Sequence, residues 1–177
     1  MFTTKKKSAM RSHRFGQPLN WPLLAWHVLA IPFLIVGAQQ LQAIRWIAMA
    51  QVYEQRGLAG FQQYYPTLNM AGWVSAMWMG PLYAWALALS LGCLLSAGIV
   101  WQRRESWLIP GLVLGLSVVS SWTHYYESAF VKAALVWVRW PVEALAAESR
   151  LGFAGGILVL AGLLLFWLSW KREPRAY

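Results

Sequence analysis

Four stretches of this chain run without a formal charge for long enough to cross a lipid bilayer: residues 21–44, 73–101, 107–125 and 151–170. An α-helix rises 1.5 Å per residue, so the first stretch reaches about 36 Å, more than a hydrocarbon core of about 30 Å. Inside such a core every backbone N–H and C=O must be bonded within the protein, and a helix does this within its own segment. The totals agree. Hydrophobic residues make up 59% of the 177, and charged residues 12%, about half the share of about 25% in soluble domains. The expected fold class is therefore an all-α integral membrane protein with four transmembrane helices.

Orientation follows from the lysines and arginines of the short connections. With the N-terminus inside, the inner segments hold ten: Lys5, Lys6, Lys7, Arg11, Arg14, Arg103, Arg104, Lys171, Arg172 and Arg175. The outer loops hold five, and four of the six glutamates also fall outside. Both ends are thus expected in the cytoplasm, with residues 1–20 as a basic tail and 171–177 as a short one. Most of the +9 net charge then faces an anionic leaflet, and no nucleic-acid partner is expected. Residues 36–38 (Val-Gly-Ala) follow a basic and apolar start in the manner of a signal-peptide cleavage site. The apolar stretch is long, however, and carries Trp, His and Pro, so a first membrane helix is preferred.

The two outer loops, 45–72 and 126–150, are long for simple connectors. The first opens as a continuation of helix one, and Gly57, Gly60 and Pro66 are expected to break it. In the second, Lys132, Arg139 and Glu143 recur at a spacing that puts them on one helical face, with Trp137 and Trp140 among apolar neighbours. A charged stripe on an apolar helix describes an interfacial or re-entrant segment. Pro141 suits the first turn of a new helix, and Arg139 pairs with Glu143 only if the helix survives that proline.

Ionisable residues at depth are the strongest functional marker in a span. The spans offer only His27 and His124, one near each face of the bilayer, too far apart to share a haem iron. No buried ion pair is expected. His124 and Glu127 lie one turn apart at the outer mouth and are the weak catalytic candidates, with Gln39, Gln40, Gln42 and Thr123 nearby. No zinc or diiron ligand set and no phosphate loop is present, and Cys93 has no matched base. No cofactor and no metal are expected.

Packing signals are clearer. Ala84, Ala88, Gly92 and Ser96 form a small-residue stripe at i+4 spacing, and Gly111/Gly115 and Gly152/Gly156 repeat it. Such stripes let helices approach closely in lipid. The expected function is that of a non-catalytic membrane subunit of a bacterial envelope complex, such as a secretion or conjugation apparatus, in the cytoplasmic membrane. Its expected partners are lipids and either other membrane proteins or further copies of itself. A small permease-like carrier and a membrane enzyme or metal/quinone protein built on the outer His/Glu pair are the alternatives.

Overall fold

The computed structural model describes residues 18–66, 70–122 and 129–171, with side chains at all of these except 70, 71, 73–78, 122 and 129–132. These form five α-helices: α1 (Trp21–Tyr64), α2 (Met70–Arg103), α3 (Leu108–Trp122), α4 (Ala129–Arg139) and α5 (Ala147–Lys171). A 3₁₀ turn, Trp140–Val142, follows α4, and no strand occurs among the described residues. Three helices are long and apolar enough to cross a membrane, within Trp21–Tyr64, Met79–Arg103 and Ala147–Lys171. The 15 residues of α3 reach only about 22 Å.

Asn20 starts α1. Its side-chain oxygen accepts the Leu23 N–H at 3.2 Å, and Pro22 occupies the first turn, where its missing N–H costs nothing. The helix then runs 44 residues with one interruption, at Gly57 (φ 64°, ψ −168°), a backbone region that essentially only glycine enters. Residues eight apart in a straight helix are about 12 Å apart along its axis. Here the Tyr53 and Phe61 rings are 6.2 Å apart, and the Arg56 guanidinium sits 4.8 Å over the Tyr64 ring. The chain therefore folds back sharply at Gly57 and buries Phe61. Of the breaks expected within 45–72, Gly57 forms one, whereas Gly60 stays helical, and the chain is helical again at Met70.

α1 is the hub, packing against α5, α2 and α3. Ala30, Ile31, Leu34 and Ile35 of α1 form the core with Ala88, Leu89 and Val100 of α2, Ile109 and Val113 of α3, and Phe166 of α5. The α1–α5 seam is antiparallel with a period of seven on both sides. Leu41 lies on Gly155, Leu34 lies on Gly162, and His27 bonds Ser169. A Cβ added to Gly155 would stand 2.9 Å from the Gly37 carbonyl oxygen, and one on Gly162 would stand 3.0 Å from that of Ala30. The two backbones are thus nearly in contact, as small residues at a seven-residue spacing permit.

At its other end, α2 stops in a left-handed turn. Arg104 has φ 56°. The Arg104 N–H reaches the Trp101 carbonyl at 3.4 Å and the Glu105 N–H that of Val100 at 3.1 Å. This is the double C-terminal closure usually built on glycine. An arginine there carries the strain of a side chain at positive φ, and the turn sends Glu105 back into the bundle.

Pro141 does end α4: its ring falls in the 3₁₀ turn, and α5 begins six residues later at Ala147. The Arg139–Glu143 pair accordingly does not form among the described residues. Leu135 and Val138 of α4 pack with Phe33, Val36 and Leu158. Those α1 positions are about 18–22 Å along the helix from Trp21, so α4 lies beside the bundle, not on top of it.

Candidate functional site

Polar side chains gather at the end of the bundle where α1 begins and α5 finishes. His27, fully buried, has its Nδ1 2.9 Å from the Ser96 hydroxyl of α2 and its Nε2 3.1 Å from the Ser169 hydroxyl of α5. The Ser169 hydroxyl donates its proton to the Phe166 carbonyl at 2.7 Å. Its oxygen must then accept from His27, which puts the ring proton on Nε2 and makes Ser96 the donor to Nδ1. This tautomer is assigned from the bonding pattern. Phe166 closes the site, its ring centroid 5.0 Å from the imidazole.

Arg103 extends this network to the surface of the bundle. It donates to the Ser169 carbonyl and lies 3.9 Å from the Glu105 carboxylate. Glu105 in turn accepts from the Asn20 amide at 2.8 Å. The Arg103 and Glu105 side chains are only 8% and 7% exposed. The pair lies between residues 101 and 107, outside the runs for which no buried ion pair is expected. Asn20, His27, Ser96, Arg103, Glu105 and Ser169 thus form one polar path from the first turn of α1 to the last turns of α2 and α5. With both ring nitrogens of His27 engaged and no face of the ring exposed, its chemistry is that of a clamp joining three helices.

Asn20 is used twice, as cap and as carboxylate partner. Asn20→Ala is expected to lower unfolding stability by about 1–2 kcal/mol. Asn20→Asp, which keeps the cap but sets a second acid against Glu105, should be at least as harmful. Titration to the unfolded state in mixed detergent micelles measures both, and an aspartate variant as stable as wild type would remove the Glu105 contact from this account.

At the opposite end the structure brings Gln40 and Arg139 together in a side-chain hydrogen bond. It lays the Gln42 amide over Gly80, whose added Cβ would meet it at 1.9 Å. Beside them lies a cleft of about 380 Å³ bordered by Ile47, Val136, Arg139, Trp140, Glu143 and Arg150, among others. His124, Glu127 and Thr123 lie outside the described residues, as does the Lys132 side chain. Trp85 donates from its indole to the Ser121 hydroxyl at 2.7 Å, which gives a mid-helix tryptophan its polar partner.

The α2 stripe faces inward: Ala84, Ala88, Gly92 and Ser96 are buried, and a Cβ on Gly92 would meet Ile31 at 2.7 Å. Gly152 makes an ordinary contact with Ile44, whereas Gly111, Gly115 and Gly156 look onto open space. The pattern missed in the sequence is Gly155, Gly162 and Ser169, spaced by seven. That spacing was the available signal for the α1–α5 seam. Among the described residues no three His, Cys, Asp or Glu side chains lie close enough to hold a metal ion.

Among the described residues, fold and site together define an all-helical protein with three helices long and apolar enough to cross a membrane, in which buried polar residues join one helix to another. No family model matches the chain, and no curated protein or solved structure is similar to it.

Proposed function

We propose that this chain is a non-catalytic membrane subunit of a bacterial envelope assembly, of the kind found in secretion or conjugation machinery. It spans the cytoplasmic membrane four times with both ends inside; residues 107–125 form the third span, and α4 is a re-entrant segment of the outer leaflet. The observation that carries the reading is the length of α1. From Trp21 to Arg56 it is uninterrupted, about 54 Å. Even a tilt of 40°, the upper end of the usual range, leaves about 41 Å along the membrane normal. That exceeds the hydrocarbon core by about 10 Å or more. The excess is polar where it ends: Gln51, Glu54, Gln55 and Arg56 are exposed there. A stiff helix projecting into the outer space, folded back at Gly57, presents side chains to another protein at a fixed height above the lipid.

The inward clamp supports the same reading, because it fixes the base of that projection in three helices. A photo-crosslinking residue placed at Gln55 is expected to give a discrete adduct with a protein of constant mass in intact membranes. The same residue at Leu164, which faces outward from α5 at 52% exposure, should give mainly lipid adducts. If Gln55 yields no protein adduct and the purified chain is a monomer, the subunit reading is wrong.

A further inference from the structure

The cleft between α4, the 3₁₀ turn and the start of α5 is bordered by three charges, Arg139, Glu143 and Arg150, none of them in an ion pair among the described residues. Arg139 gives one N–H to Gln40, and its buried Nε has no partner. Arg150 projects from the first turn of α5 on the same wall, and Glu143 stands on the rim. Among the described residues neither guanidinium is within ion-pair distance of Glu143. Ile47, Val136 and Leu151 supply apolar lining, and Ala147 brings the first turn of a 25-residue helix, whose free N–H groups favour an anion. Ile47 is 26 residues beyond Trp21, about 39 Å along α1. At tilts of about 20–40° this is about 30–37 Å along the membrane normal, which, measured from Trp21 at the inner edge of the hydrocarbon core, is the outer headgroup layer. Trp137 and Trp140, 75% and 71% exposed beside the cleft, are the side chains expected at that level.

We propose that this cleft is a binding site for a phospholipid whose headgroup carries both a phosphate and a primary ammonium, as in phosphatidylethanolamine. The phosphate lies between Arg139 and Arg150, where guanidinium forks give charge-assisted hydrogen bonds. The ammonium pairs with Glu143, and the acyl chains run down the apolar wall past Val136. The match is one of groups and not of net charge: the guanidiniums answer the phosphate, and the carboxylate answers the amine, which phosphatidylglycerol lacks. The proposal rests on the membrane placement and not on the subunit reading, so either can fail alone.

Native mass spectrometry of the full chain, released from detergent after lipid removal, tests it with added phosphatidylethanolamine, phosphatidylglycerol, phosphoethanolamine or inorganic phosphate. The expected result is tightest retention of phosphatidylethanolamine, about tenfold over phosphatidylglycerol, with the two soluble probes unable to displace it at equal concentration. Arg150→Gln should weaken both lipids about tenfold or more. Glu143→Gln should leave phosphatidylglycerol unchanged and erase the preference. Neither side chain takes part in a helix-joining bond, and unchanged helicity and elution volume confirm that each variant folds. Three results would each overturn the proposal: equal lipid retention in both variants and wild type, a wild-type preference for phosphatidylglycerol, or displacement by inorganic phosphate alone.

Discussion

Replacing Gly155 by leucine is expected to separate α1 from α5 and lower stability by roughly 2–4 kcal/mol. The first atom of any side chain there would stand 2.7 Å from Leu41 Cγ and 2.9 Å from the Gly37 carbonyl oxygen. Leu41 can rotate, but a backbone oxygen cannot, so the helices must move apart. Doing so strips the close contacts that hold helices together in lipid, where no hydrophobic drive replaces them. Leucine regains about 1 kcal/mol of helix propensity over glycine, which offsets only part of the loss. Gly156→Leu is the control: it lies one residue along, with open space around it, and should not lower stability, the same propensity gain raising it by up to about 1 kcal/mol. Unfolding of both variants in mixed micelles decides the matter. Equal losses would show that the seam is looser than its geometry, and that glycine there serves only the backbone.

The second large effect is expected at Arg103. Arg103→Met removes the Ser169 carbonyl's partner and leaves Glu105 buried with only Asn20, and breaking a buried pair in this way costs about 3–5 kcal/mol. The separation of 3.9 Å is at the long end for an ion pair, so the lower figure is the expectation. Glu105→Gln keeps a neutral acceptor for Asn20 and should cost less. In the double variant the two losses should not add, because each single change strands the other group. Strict additivity in that cycle would mean that the two charges do not sense each other. A loss below about 0.5 kcal/mol for Arg103→Met would place the guanidinium in water.

The helical, membrane-type character of the chain was written in its charge-free runs, since a bilayer tolerates little else. Helix ends were not. Residues 45–56 contain no glycine or proline, so α1 simply continues; of Gly57 and Gly60, one breaks the helix and one does not. Whether a glycine breaks a helix depends on what packs around it, and here Phe61 finds Tyr53 only if the chain bends at Gly57. The i+4 rule singles out Gly152 and Gly156 on α5. The face that meets α1 instead follows a period of seven, because two long antiparallel helices stay in register over several turns. Arg103 and Arg104 read as orientation-setting charge in a short loop. Nothing local announces that Arg104 adopts a positive φ and swings Glu105 inward toward Asn20, 85 residues away. His124 and Glu127, singled out in the sequence, lie outside the described residues.

The seam between the first and last long helices also bears on how the protein is made. Leu34 emerges 128 residues before Gly162, a gap of roughly 6–25 s at ordinary rates of synthesis. Through that interval α1 has α2 and α3 to lean on, but His27 lacks Ser169, and the groove for α5 is lined only by lipid or by whatever holds nascent helices during insertion. Closure is therefore a late event that depends on the last helix. A chain stopped in the loop before Ala147 would leave the Leu34 and Leu41 face of α1 uncovered and His27 half-bonded, the surface that membrane quality control is suited to detect.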